Sequence, residues 1–217
     1  MDILYISTLC SKKIFNQLYE NTKIKPQQQA QKYHKLMVEG LSQNEGLTVT
    51  VLSAIPLNSS MTEKLYYKAE IENENGIEYN YLPFFRIPIL RHAWLFILCF
   101  FKVLKWSKFN KQGIIICDVL NISISFAALL ASKIKNIQSV GIVTDVPVLL
   151  AGMTTGNINF KKNIISQFNT FTMNRFDAYI FLTEQMNELI NKKQRPYVVI
   201  EGQVDINMAI SNNDLRA

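Results

Sequence analysis

Glycine is scarce, with eight in 217 residues. None lies in the turn after the first strand-like segment, which reads Thr8-Leu9-Cys10-Ser11-Lys12-Lys13. A dinucleotide-binding turn needs glycine so that backbone can approach a pyrophosphate at a helix N-terminus. That absence excludes a conventional NAD-binding domain. Histidine is scarcer still: His34 and His92 are the only two. They are too few for a typical zinc site with these cysteines, and no Cys-x-x-Cys occurs. The cysteines, Cys10, Cys99 and Cys117, are odd in number and irregular in spacing, which excludes a disulfide framework. Each sits in or beside an apolar run, where cysteine acts as a small hydrophobe, and a reducing cytoplasm suits all three. Long uncharged runs are missing too. The core of the most apolar segment is residues 93–101, about half of the roughly 20 residues a membrane span requires. There is no Gly-x-Ser-x-Gly, no P-loop and no His-Glu-x-x-His. The N-terminus runs straight into strand-like sequence, without a basic leader or cleavage motif.

What is present is a core. Nearly half the chain is apolar (48%) and only 18% is charged, below the usual quarter or so. The net charge of +6 and pI near 9.1 imply attraction to an anionic membrane surface, nucleic acid or phosphorylated ligand; a solvated basic surface is the plain alternative. The basic residues are scattered, with no aromatic-and-basic platform and no helix-turn-helix, so no nucleic-acid partner is expected.

Two periodicities alternate along the chain. Segments 3–7, 47–53, 77–82, 113–117, 139–144, 178–182 and 197–200 read as buried strands, several continuously apolar, as when both sheet faces are covered. Segments 27–43, 121–135, 157–176 and 183–192 read as helices. The first carries Ala30, Tyr33, Met37 and Leu41 on one stripe, with Val38 beside it; the third carries Phe160, Ile164, Phe168 and Phe171. Thr183 is placed to cap the fourth, with Glu184 at its positive end. This order predicts a three-layer α/β fold, a doubly wound, mostly parallel, Rossmann-like sheet of about seven strands. Residues 57–76 break the pattern and read as a connecting excursion or a short edge hairpin. Residues 1–206 form the domain, and 207–217 read as the start of a linker.

The segment 89–106 is the most hydrophobic. Arg91, Lys102 and Lys105 flank Trp94 and Leu98, a pattern that suits either a helix on an anionic bilayer surface or a core helix with snorkelling lysines. Ligands of doubly wound sheets bind at the carboxyl ends of the strands. The candidate residues there are Asp118 and Asn121, Thr144 and Asp145, Thr183 and Glu184, and then Glu201, Gly202 and Asp205. A carboxylate in such a place can bind a sugar hydroxyl or orient an attacking alcohol, although Asp and Asn also serve as turn and cap residues.

Lys25-Pro26, Ala30-Gln31-Lys32, Leu36 and Glu39-Gly40-Leu41 together resemble the first helix of glycosyltransferase family 4. Val49 to Ser53 and Pro56 are similar to the strand that follows it in that family. Val143-Thr144-Asp145-Val146-Pro147 is similar to its fifth strand end, and Phe176-Asp177-Ala178 leading to Thr183 to its sixth strand. Tyr197 to Asp205 resembles the segment crossing to a donor domain, with Ile200-Glu201 where the family usually has Pro-Asn before the glycine. The resemblance covers nearly the whole chain.

The resemblance implies one half of a GT-B fold, the N-terminal, acceptor-binding half of a retaining glycosyltransferase of hexosyltransferase type. Such an enzyme moves a sugar from a nucleotide-sugar donor to a saccharide or lipid-linked acceptor, here in cell-surface polysaccharide biosynthesis. It would work in the cytoplasm, or peripherally on the inner face of the membrane. The donor is a co-substrate held by a separate C-terminal domain; no cofactor and no metal is expected on this half, which alone would be inactive. Asp145 is the expected catalytic group. Asp118, Asn121, Thr144, Glu184 and Lys25 are expected to bind substrate, with Lys12 or Lys13 as further sources of charge. Glu201, Gly202 and Asp205 form the interdomain hinge. Two other readings remain: half of a GT-B sugar-nucleotide epimerase, and a non-catalytic Rossmann-like membrane-docking or interaction module.

Overall fold

The computed structural model describes residues 1–57, 61–68, 70–145 and 160–204. The strands in chain order are β1 (Asp2–Ser7), β2 (Thr48–Ala54), β3 (Tyr66–Tyr67), β4 (Ile71–Glu74), β5 (Ile77–Leu82), β6 (Phe84–Phe85), β7 (Ile114–Asp118), β8 (Gln138–Val143), β9 (Ala178–Phe181) and β10 (Tyr197–Val199). The helices are α1 (Lys12–Asn21), α2 (Gln28–Ser42), α3 (Pro88–Phe109), α4 (Ile122–Lys135), α5 (Phe160–Met173) and α6 (Glu184–Ile190).

The main sheet has eight strands in the order β10-β9-β8-β7-β1-β2-β5-β4. Every pairing is parallel except β4 with β5. The strands expected from sequence are all present, their ends shifted by a residue or two. The eighth, β4, comes from the polar excursion. It turns back into β5 through Asn75 and Gly76, at φ of 53° and 78°, the left-handed pair that a two-residue hairpin demands. The other part of the excursion forms a small antiparallel pair, β3 with β6. Helix α1 was not expected. Its sequence signal is Ser11 ahead of Ile14, Phe15 and Leu18, an N-cap followed by an apolar stripe. Residues 157–159 of the third expected helix lie outside the described residues.

Right-handed crossovers place α2 on one face of the sheet and α3, α4 and α5 on the other. In keeping with that, α3 packs on α4 and α4 on α5. Central strands are buried on both faces: Tyr5, Ile6, Ile115, Cys117, Ile142 and Val143 are all inaccessible. The cysteines are free and buried, and burial pushes the thiols of Cys10 and Cys99 up, so neither is a reactive thiolate. Gly113 is required for close approach. A Cβ there would meet the carbonyl of Asp2 at 2.9 Å and collide with the Trp106 ring. No helix among the described residues is long and apolar enough to cross a membrane.

Asp177 fastens β9 to its neighbours just before the strand begins. Its Oδ2 accepts the Ser139 amide at 3.0 Å and the Ser139 hydroxyl at 2.8 Å, and its Oδ1 accepts from Lys133. Burial alone would raise its pKa, but those donors outweigh it and hold the carboxyl below its usual value. A depressed folded-state pKa means the stabilisation is present above the unfolded value, about 4, and is lost as pH falls through the lower folded value. Thermal denaturation of Asp177→Asn should therefore show a deficit at neutral pH, of order 1–2 kcal/mol, that shrinks as pH drops below about 4.

Candidate functional site

Strand order reverses at β1 and β7. The crossover from β1 leaves on one face and that from β7 on the other, which opens a crevice beyond their carboxyl ends. A buried polar chain closes its base. The Tyr5 hydroxyl lies 2.7 Å from Nδ1 of His34, and Nε2 of His34 lies 3.4 Å from Oδ2 of Asp118. The other carboxylate oxygen of Asp118 accepts the Leu120 amide at 3.0 Å. Nε2 thus faces the carboxylate, and Nδ1 shares a hydrogen bond with the Tyr5 hydroxyl. Burial first, and then the charge of Asp118, drives the Tyr5 phenol pKa well up. The same two influences raise Tyr33 to about 12. Both imidazole nitrogens are engaged and the ring is only 2% exposed, so His34 holds the base of the crevice and has no free nitrogen with which to take a proton from a ligand.

The loop leaving β1 is fixed without glycine. Gln31 on α2 accepts the Cys10 amide at 2.9 Å and donates to the Thr8 carbonyl at 2.7 Å. Ser7 accepts the Leu9 amide at 3.0 Å. The next turn is filled by the protein's own groups. The Ser11 amide donates to Tyr81 at 2.8 Å, and the Ser11 hydroxyl caps α1 at Ile14 while donating to Glu72. Glu74 accepts the Lys12 amide, and Lys13 pairs with Glu72, each at 2.8 Å. Two carboxylates thus occupy the positive end of the α1 dipole, the place a phosphate takes in a glycine-rich turn.

The structure sets Asp118, Thr144 with Asp145, and Glu184 at or just beyond the carboxyl ends of β7, β8 and β9. These are adjacent strands, so one rim gathers them. Their surroundings differ. Asp118 is 5% exposed and turned inward. Thr144 and Asp145 are half-buried. Glu184 is exposed and accepts the Tyr197 hydroxyl at 2.6 Å, which raises the Tyr197 pKa. Asn121 holds the N-cap position of α4 without a side-chain capping bond, and Thr183 does the same for α6. Lys25 sits elsewhere, between α1 and α2, donating to the Tyr19 carbonyl with its ammonium 5.2 Å from that ring centre. Glu201 and Gly202 are exposed beyond β10, and Asp205 lies outside the described residues. Just beyond Gly202 the chain approaches α2, where Gln203 Nε2 lies 3.9 Å from the Met37 sulfur. Among the described residues no three His, Cys, Asp or Glu side chains gather in a way that could hold a metal.

A cleft of about 1080 Å³ lies beside the crevice. Its walls are α1, through Ile14, Gln17 and Asn21, and the excursion, through Thr62, Lys64, Tyr66 and Tyr67. Ile55, just past β2, and Tyr81, near the end of β5, bring it to the same carboxyl edge of the sheet. Tyr66 is 46% exposed, an aromatic face with hydroxyls and amides around it. Sequence reasoning missed this cleft because α1 and β3 went unread.

No family model matches the chain, and no curated protein matches it. Solved structures do. The crystal structure of Arabidopsis thaliana UGT89C1 complexed with UDP-L-rhamnose is 12% identical, with a TM-score of 0.50 over 96% of this chain and 53% of that one. The same protein complexed with UDP is 11% identical, with a TM-score of 0.46 over 95% and 50%. This chain therefore spans about half the length of the structures it matches. The fold is a Rossmann-like GT-B half. At such identity the likeness is one of fold, and the family 4 resemblance rests on the residues quoted for it.

The Gln31 clamp yields a direct test. Replacing it in Gln31→Leu strands the Cys10 amide and the Thr8 carbonyl, and should cost about 1–3 kcal/mol. Hydrogen exchange should quicken at Cys10 while amides in β8 and β9 keep their protection.

Proposed function

We propose that this chain is the acceptor-side half of a glycosyltransferase that takes its sugar from a nucleotide-sugar donor. The observation that carries this reading is the pairing at one sheet edge of a carboxylate-bearing rim with an open, aromatic and hydroxyl-lined cleft. That pairing occurs in a fold half whose structural neighbour is a protein complexed with UDP-L-rhamnose. Aromatic faces and hydroxyl groups bind the apolar and polar sides of a pyranose together. The α1 N-terminus, filled by Glu72 and Glu74, repels a second anion, which supports leaving the donor diphosphate to a separate domain.

The finer reading follows the family 4 resemblance: a retaining, metal-independent transfer to a saccharide or lipid-linked acceptor at the inner face of a membrane, in cell-surface polysaccharide synthesis. Little covalent chemistry is asked of this half. It holds the acceptor hydroxyl against the anomeric carbon as the diphosphate leaves, and positioning alone lowers such a barrier substantially. Asp145 is assigned to that hydroxyl or to the transferred sugar, because it is the half-buried carboxylate of the rim, more accessible than Asp118 at 5% exposure. Thr144, Asn121 and Glu184 line the same rim, Lys25 offers charge from the α1–α2 connection, and Glu201, Gly202 and Asp205 carry the chain toward the donor domain.

The test is kinetic, in the full-length protein with a nucleotide-sugar donor. Asp145→Asn should lower kcat roughly tenfold or more with an unchanged melting temperature. Tyr66→Ala should instead raise KM for the acceptor while sparing kcat. A normal rate in the Asp145 variant removes that residue from the site. The absence of any sugar transfer or donor hydrolysis by the intact protein removes the class.

A further inference from the structure

The three helices on one face of the sheet share a property that neither core packing nor sugar transfer requires. No acidic residue occurs anywhere in α3, α4 or α5. Their charges are Arg91, Lys102, Lys105 and Lys108 on α3, Lys133 and Lys135 on α4, and Lys161 and Lys162 on α5. Acidic side chains lie around this patch: Glu20 on α1, Glu39 on α2 and Glu72 and Glu74 on β4 are away from it, Asp177 borders it paired with Lys133, and Glu184 and Glu188 on α6 stand at the outer edge of the same layer, beyond α5.

The same layer exposes large apolar groups. Helix α3 buries Leu95, Cys99 and Val103 inward, yet leaves Ile97 43%, Phe101 62% and Phe109 73% accessible. Neighbouring helices add Ile134 at 59% and Phe171 at 47%. Phe101 and Phe171 belong to one surface, because an unbroken run of ring contacts joins them. Phe101 meets Phe100 at 5.5 Å between centroids, Phe100 meets Phe96 at 6.1 Å, and Phe96 meets Phe126 at 5.7 Å. Phe126 then meets Phe168 at 4.9 Å, and Phe168 meets Phe171 at 6.3 Å. The run ends under the Arg175 guanidinium, 3.8 Å from the Phe171 ring centre.

Cations cluster at the same end. Lys105 and Lys108 occupy the last turns of α3, and Lys133 and Lys135 the last turn of α4. Lys133 is paired with Asp177, while Lys105, Lys108 and Lys135 are exposed. The helix dipole favours lysine at a C-terminus, but it gives no reason for phenylalanines in water beside them.

We infer that the outer face of α3, α4 and α5 docks on the surface of an anionic phospholipid bilayer. The phenylalanines enter the acyl boundary and the lysines meet lipid phosphates, the two-part binding of an interfacial amphipathic surface. Charge selects this occupant over a second copy of the chain: two acid-free, basic faces brought together would repel. The docking is physically independent of the proposed transfer reaction. It rests on that reading only for its use, which is to bring the carboxyl edge to an acceptor carried on lipid.

The test is sedimentation of the full chain with vesicles. Vesicles of phosphatidylcholine containing about one-third phosphatidylglycerol should pellet the protein, and phosphatidylcholine alone should not. Raising salt to about 1 M, where the Debye length is about 3 Å, should release most of it. Phe101→Ser with Phe171→Ser should weaken binding roughly tenfold or more, and Lys105→Glu with Lys108→Glu should do likewise. Both pairs are exposed, so the variants should keep the parent melting temperature. Equal pelleting of parent and variants overturns the inference, as does no pelleting with anionic vesicles. A dimer in sedimentation velocity that disappears in the phenylalanine variant also overturns it and assigns the face to self-association. None of these results bears on sugar transfer, which is assayed in detergent-free solution with a free acceptor.

Discussion

A buried carboxylate at the centre of a sheet must be partnered, and the partnering of Asp118 shapes the rest of this molecule. β7 delivers Asp118 to the carboxyl edge where strand order reverses, the one place in the sheet where helices on both faces stand apart. Water would fill that gap if protein did not. Here α2 brings His34 into it, and β1 brings Tyr5, so phenol, imidazole and carboxyl form a single buried row. Removing the imidazole would leave the Asp118 carboxyl with the Leu120 amide alone, and a buried carboxyl short of partners is destabilising. The register of α2 against β1 and β7 is thereby fixed to within a hydrogen-bond length. Gln31, one turn before His34 on the same helix, uses that fixed register to hold the outgoing loop.

The loop so held explains how a Rossmann-like unit manages with so little glycine. In a phosphate-binding turn, backbone amides point at the ligand and glycine removes the side chains that would obstruct it. In this chain the corresponding amides are taken by Gln31, Tyr81 and Glu74 and by the Ser11 cap. No ligand need approach, so side chains are harmless there. The open space lies to the side, in the cleft between α1 and the excursion, where tyrosines stand in the walls.

Much of the fold was legible in the sequence because both faces of the central strands are covered. Runs such as Ile114 to Cys117 are continuously apolar, and the helices between them carry stripes at helical spacing. The parts that were not legible are those where polar chemistry replaces periodicity. α1 is short and mostly polar, and its apolar residues, Ile14, Phe15 and Leu18, serve one side only. β4 is an edge strand that is charged or polar apart from Ile71, marked by the Asn75-Gly76 turn. At the site, the sequence located the strand ends and hence the rim of Asp118, Asp145 and Glu184. It did not distinguish their surroundings, because the residue facing Asp118 comes from α2, which begins at Gln28, a whole helix past the end of β1 at Ser7, in a different face layer. His34 lies on the apolar stripe of α2, four residues after Ala30 and four before Val38, and such a histidine reads as core. It is core, and it is also what turns Asp118 inward.

The contact that brings the outgoing chain back to α2 is weak by design of its atoms. A thioether sulfur is a poor acceptor, and the amide oxygen of Gln203 is buried with no partner among the described residues. Detaching the segment would forfeit the feeble sulfur contact but return that oxygen to water. The two effects oppose each other, so this tether is held by a shallow well. Whatever follows Val204 can tug the strap loose at small energetic expense, without disturbing the histidine beneath it.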